Sequence, residues 1–126
     1  MEPKKFPILR LDEEKIITVL KNVVENSLKY SQDQNVPVKL NFIQEDKWLS
    51  LKVRDFGIGI PKEDLRLVFE PFYRVDKSRT KKTGGYGLGL SLCREIMQAH
   101  GGKISLESRH GSGTEVTLQF PKKSVF

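Results

Sequence analysis

The apolar residues of this chain change their spacing three times between Ile16 and Phe120, and few folds accommodate the order of elements that results. Ile16, Ile17, Leu20, Val23, Val24 and Leu28, with Ser27 among them, recur every three or four positions, the spacing of one helix face. Leu11-Asp12-Glu13-Glu14 precedes them; Asp12 can cap, and the acids suit the positive end of a helix dipole. A helix is therefore predicted to about Tyr30, followed by a polar loop from Ser31 to Asn35. Two alternating segments come next, Val36–Ile43 and Lys47–Arg54. Val38, Leu40 and Phe42 share one side of the first, and Leu49, Leu51 and Val53 share one side of the second. The short Gln44-Glu45-Asp46 connection makes them an antiparallel hairpin.

Asp55-Phe56-Gly57-Ile58-Gly59-Ile60-Pro61 follows as a glycine-punctuated loop. Pro61 and the run Lys62–Phe69 predict a short helix. From Tyr73 to Gly85 no periodicity survives, and an aperiodic stretch of that length in a compact domain predicts a lid or functional loop. Gly87-Leu88-Gly89-Leu90 opens a second long helix that stops at His100-Gly101-Gly102. Two strands, Lys103–Ser108 and Glu115–Phe120, flank the turn His110-Gly111-Ser112-Gly113. The order helix, hairpin, short helix, lid, helix, hairpin predicts an α+β fold: a two-layer α/β sandwich with helices over one face of a mixed, mostly antiparallel sheet. With 126 residues, 37% of them hydrophobic and 30% charged, the whole chain, 1–126, reads as one globular domain. No segment approaches the roughly 20 apolar residues that span a bilayer, and Met1-Glu2-Pro3-Lys4-Lys5 lacks an apolar signal core. A cytoplasmic domain is expected, and the lone Cys93 fits a reducing compartment, as a small core residue on an apolar helix face.

Three constellations carry chemistry. Asn22, Asn26 and Lys29 fall at i, i+4 and i+7 on the first helix, placing neutral oxygens beside a positive charge, a pairing that suits a hard cation and phosphates. Asp55 stands at a strand end, where its carboxylate can accept from an exocyclic amine such as that of adenine, while Gly57 and Gly59 let backbone approach a ligand. Gly84-Gly85-Tyr86-Gly87-Leu88-Gly89-Leu90 opens a helix N-terminus, whose free N–H groups and dipole attract an anion. It is neither a dinucleotide fingerprint, because no parallel βαβ unit surrounds it, nor a Walker loop, because no Gly-Lys-Ser/Thr follows. The net charge is +6, and Arg74, Lys77, Arg79, Lys81 and Lys82 lie just before these glycines against only Asp76. Taken alone, such a run could meet nucleic acid, an acidic membrane surface or a ligand's phosphates. Its aromatics are not interleaved as stacking platforms, so a nucleic-acid partner is not expected.

The ordered set of motifs resembles the catalytic and ATP-binding domain of sensor histidine kinases. Asn22–Tyr30 resembles their N box, Asp55–Pro61 the G1 box, Phe69-Glu70-Pro71-Phe72-Tyr73-Arg74 the F box, Gly85–Leu90 the G2 box and Gly111-Ser112-Gly113-Thr114 the final glycine turn. The resemblance, with these motifs in family order and spacing, covers roughly residues 11 to 121. The resemblance implies the Bergerat fold, with ATP (or ADP) and Mg²⁺ as cofactors. It implies Asn26 as the metal ligand with Asn22 beside it, Lys29 and Arg74 on phosphate, and Tyr30 against the base. Asn22, Lys29 and Arg74 would form the catalytic set. It further implies Asp55 reading the adenine amine, Gly59 making room, and Ile58 and Ile60 lining the pocket. Gly85, Tyr86, Gly87, Leu88 and Gly89 would present amides to the phosphates, Leu90 would close the apolar side, and Thr114 would lie on the pocket floor. Phe69 and Phe72 would form a hydrophobic hinge under the lid.

Hydrolases of the superfamily carry a glutamate base four residues before the metal asparagine. Here Asn22 stands there, and Glu25, one residue before Asn26, lies about 100° from it around the helix, so strong ATP hydrolysis is not expected. The resemblance implies a protein-histidine kinase that transfers the γ-phosphate of ATP to a histidine on a separate dimerisation domain and signals to a response regulator. Neither His100 nor His110 has an acceptor's context, so this chain is not expected to phosphorylate itself, and both histidines are expected to be structural or exposed. The dimerisation, phosphoacceptor and sensor segments would lie outside the sequence, in a homodimeric parent anchored in the cell membrane, while the chain itself would be monomeric. The alternative is an anti-sigma-factor-type serine kinase of the same fold.

Overall fold

A computed structural model describes residues 9, 11–30, 37–60, 62–65, 67–70, 89–109 and 111–122, without the side chains of Lys29 and Tyr30. Helix α1 spans Glu13–Tyr30. Asp12 caps it by accepting the Lys15 N–H at 3.3 Å, and Glu13 and Glu14 occupy its first turn. Strands β1 (Lys39–Gln44) and β2 (Trp48–Asp55) form the expected hairpin, closed by Glu45 N–H donating to the Trp48 carbonyl at 2.9 Å. Helix α2 spans Gly89–Ala99, and β3 (Lys103–Arg109) and β4 (Gly113–Pro121) form the second hairpin. The short helix predicted over Lys62–Phe69 is reduced to one 3₁₀ turn, Lys62–Asp64, because only Val68 among the described residues of that run is buried and an isolated helix this short is unstable without packing. The predicted lid, Tyr73–Gly85, and Phe72 lie outside the described residues.

The strands are ordered β1-β2-β4-β3, and every described pairing is antiparallel. The described sheet is thus antiparallel rather than mixed. β1 begins three residues and β2 one residue later than the alternation suggests, and β4 runs longer, because pairing rather than apolar content decides where a ladder ends.

One cluster forms the core between the layers: Ile16, Val19 and Val23 from α1, Cys93, Ile96 and Met97 from α2, Leu51 and Val53 from β2, and Val116, Leu118 and Phe120 from β4. The register explains the membership. Leu51 opposes Leu118 and Val53 opposes Val116, so one face of the two central strands is apolar throughout. Their other face is polar, with Lys52 and Glu115 paired at 3.4 Å. Leu40 and Phe42 oppose Val53 and Leu51 and so share the core-facing side, yet they are 56% and 49% exposed because β1 is an edge strand. On α1 the buried stripe runs Ile16, Val19, Val23 and Ser27, and Ile17 and Leu28 lie on the exposed side. No described helix is long and apolar enough to cross a membrane.

The two helices are tied at one end by His100, which is buried. Its Nε2 accepts the Asp12 backbone N–H at 2.9 Å. That nitrogen therefore carries the lone pair, so Nδ1 bears the hydrogen and donates to the Ile96 carbonyl at 2.8 Å. α2 ends just beyond on Gly101 at φ 72°, with Gly102 N–H reaching back to the Met97 carbonyl at 2.8 Å, the glycine stop expected at a helix C-terminus. Of the two histidines, His100 is structural; His110 lies outside the described residues.

Candidate functional site

β2 ends on Asp55, and the chain then turns through Phe56–Ile60. Asp55 as a residue is 4% exposed. Oδ1 accepts the Gly57 N–H at 3.0 Å and the Thr114 N–H at 3.3 Å. Among the described residues both of these bonds fall on the same oxygen, so Oδ2 keeps its lone pairs for another donor. Burial raises the Asp55 pKa above its usual 3.8, and the two backbone N–H groups and the nearby Arg54 guanidinium only partly oppose that rise. Gly59 has φ 72°, a left-handed turn that a side chain would strain.

Thr114 is the direct partner of Asp55 in the β2–β4 ladder, which explains how residues 59 apart in sequence come to share a site. Gly113 before it has φ 88°, and a Cβ there would run into the Asp55 backbone carbonyl. The β3–β4 turn also holds the Asp55 loop from outside. Gly111 N–H donates to the Ile58 carbonyl at 2.6 Å, and Ile60 N–H donates to Ser108 Oγ at 2.7 Å. Ile58 and Ile60 are half-buried within this clasp.

The asparagine stripe meets the other glycine segment. α2 begins at Gly89; a Cβ on that glycine would lie 3.9 Å from Asn26 Nδ2 and 4.0 Å from Asn22 Cγ. A helix N-terminus, with N–H groups that have no partner within the helix, thus opens beside two side-chain amides. Leu90, next along, is half-buried. Val23, between the two asparagines, and Val53, two residues before Asp55 on the same strand face, belong to the same core cluster. Asn22, Asn26, Asp55, Ile58, Gly59, Ile60, Gly89, Leu90 and Thr114 are all described. Lys29 and Tyr30 lie in α1 by their backbone alone, and Arg74, Gly85, Tyr86, Gly87 and Leu88 lie outside the described residues.

Ser108 was not singled out by any motif. Its signal was a break in pattern: Ile104 and Leu106 alternate on the core side of β3, and the next position on that side is a serine. Cys93 is fully buried, its Sγ 3.8 Å from the Val19 carbonyl, and burial pushes its thiol up to about 11, so it remains protonated and unreactive at neutral pH.

Residues 11–124 match the family described as histidine kinase-, DNA gyrase B-, and HSP90-like ATPases. The chain is 45% identical to the sensor histidine kinase WalK of Bacillus subtilis (strain 168) over 122 residues, which is 96% of this chain and 20% of that protein. It therefore spans about a fifth of the length of that relative. Among solved structures, a mycobacterial sensor histidine kinase, MprB, superposes with a TM-score of 0.77 at 27% identity, over 90% of this chain and 74% of that one. The nucleotide-free catalytic domain of the histidine kinase ThkA superposes with a TM-score of 0.74 at 31% identity, over 90% and 70%.

Proposed function

Since the chain belongs to the family of histidine kinase-, DNA gyrase B-, and HSP90-like ATPases, on its histidine kinase side, we propose that it is the ATP·Mg²⁺-binding catalytic domain of a sensor kinase. It transfers the γ-phosphate of ATP to a histidine on a separate dimerisation domain, which then serves a response regulator. The observation that carries this is Asp55: a buried carboxylate with one oxygen held by backbone and the other available to an exocyclic amine.

The residues present fit such a ligand. Asp55 takes the adenine amine, Gly59 leaves room for the ring, and Ile58, Ile60 and Tyr30 flank it, with Thr114 on the floor. Among the described residues no three His, Cys, Asp or Glu side chains gather to hold a metal. Mg²⁺ at Asn26 would accordingly rely on ligand phosphates and water for its remaining oxygens, as this ion commonly does. When bound it neutralises phosphate charge. Asn22 stands beside Asn26, Lys29 and Arg74 would meet phosphate, and Gly85, Tyr86, Gly87 and Leu88, with Gly89 at the α2 N-terminus, would present amides to it, Leu90 closing the apolar side. An asparagine at position 22 cannot take a proton from water near neutral pH, which directs the phosphoryl group toward a nucleophile supplied from elsewhere rather than to hydrolysis.

Calorimetric titration with ADP, with and without Mg²⁺, tests the reading. Saturable, Mg²⁺-strengthened binding is expected, and Asp55→Asn is expected to weaken it by roughly tenfold to a hundredfold, the loss of one hydrogen bond to a charged group. Wild-type affinity in that variant would overturn the assignment. Incubation with labelled ATP and a dimerisation domain bearing an acceptor histidine is expected to give acid-labile label. Acid-stable label would point to a serine kinase instead.

A further inference from the structure

The clasp on the Asp55 loop has one side-chain hub, Ser108, whose hydroxyl reaches three partners at once. Its Oγ accepts the Ile60 N–H at 2.7 Å and lies 2.8 Å from Thr114 Oγ1 and 3.0 Å from the Gly113 carbonyl. We propose that Ser108 is a positioning residue for base selection: it fixes the hydrogen-bonding pattern that Thr114 and Asp55 offer to the edge of a purine. The inference rests on the nucleotide reading above and deepens it.

A serine hydroxyl has one hydrogen and two lone pairs, and the Ile60 N–H already occupies one pair. If Ser108 donates to Thr114 Oγ1, the nearer acceptor, the threonine hydrogen is released to point elsewhere. Asp55 Oδ2 and Thr114 then offer an acceptor beside a donor. Adenine carries the complement, an amine donor beside a ring-nitrogen acceptor. If Ser108 instead donates to the Gly113 carbonyl, Thr114 must donate to Ser108 and offers only lone pairs outward. Two acceptors side by side suit guanine instead, whose ring N–H and neighbouring amino group are adjacent donors. Ser108 therefore couples three things: the Ile58–Ile60 backbone, the hydroxyl direction of Thr114, and the choice between two bases that Asp55 alone separates poorly, because a carboxylate accepts from either base's N–H.

Both halves of this coupling depend on the same hydroxyl, so one substitution tests them. The full chain is titrated with ADP and with GDP, as wild type and as Ser108→Ala and Ser108→Thr, and its melting temperature is recorded alongside. Ser108→Ala is expected to weaken ADP by about tenfold and to lower the ratio of ADP to GDP affinity, while Ser108→Thr restores both. Ser108→Cys keeps the side chain's shape with a weakly bonding thiol and carries the same expectation should the alanine variant fail to fold. Amide exchange adds a readout without nucleotide: the Ile60 N–H is expected to exchange faster once its acceptor is removed. Equal weakening of ADP and GDP, or unchanged affinity for both, overturns the role of Ser108 while leaving the nucleotide site standing. Failure of the wild-type chain to bind ADP overturns the nucleotide reading and this inference with it.

Discussion

At Asp55 burial works against the charge that recognition of an amine requires. Its pKa is raised chiefly by desolvation, so folding favours the protonated carboxyl over the ionised one. The contribution of this group to stability is therefore greatest below the usual carboxylate value of 3.8 and is lost as pH rises through the higher folded value. At neutral pH, well above that usual value, this preference for the protonated form opposes folding of the nucleotide-free domain, a strain of the kind functional sites retain. Asp55→Asn keeps an oxygen for the Gly57 and Thr114 N–H groups and removes the charge. The variant is expected to melt at a higher temperature than wild type at pH 7 without nucleotide, with the gap closing toward pH 4, in scanning calorimetry across that range. A lower melting temperature at pH 7 would refute the account.

At the scale of elements, α1 and α2 are joined at one end through His100 and at the other open onto the Asn22–Asn26–Gly89 corner. His100→Ala removes a buried acceptor from Asp12 and a donor from Ile96 and is expected to destabilise the domain by about 2 kcal/mol, lowering the melting temperature by roughly 8 °C in a domain of this size. His100→Gln, which can still accept from Asp12, is expected to lose less. Chemical denaturation of the three proteins decides it. Nitrogen NMR of the imidazole is expected to report the Nδ1–H tautomer. None of this was legible from His100-Gly101-Gly102, which announces a helix stop and says nothing of a partner 88 residues away. The helices and hairpins themselves were legible because their apolar periods are local. The predicted helix after Pro61 was not, since its fate depends on packing that no local pattern records. The Asp55 turn could be read because its chemistry is written in consecutive residues. Ser108 could not, because its meaning arises only when the β3–β4 register sets it opposite Thr114.

Across the whole molecule the core is one layer of side chains shared by both helices and the two central strands. Leu118, on β4, is fully buried among them. Leu118→Ala is expected to cost about 3 kcal/mol in urea unfolding and to weaken ADP binding only through the fraction of molecules unfolded, so added ADP should raise the midpoint of both proteins. Binding that vanished in a still-folded variant would contradict a core role. The exposed apolar residues of β1, Leu40 and Phe42, were expected on the apolar side of their strand and lie there. Their exposure is a property of strand order, which a hairpin pattern cannot reveal.

Asp55 and Thr114 are also the last facing pair at their end of the β2–β4 ladder. Past that rung the two backbones part, one into the Asp55 loop and the other into the turn that grips it. A purine held by Asp55 Oδ2 would lie on the helix-covered face at that end of the ladder, over the last rung. Separating that rung would part Asp55 from Thr114, the two side chains such a purine would share.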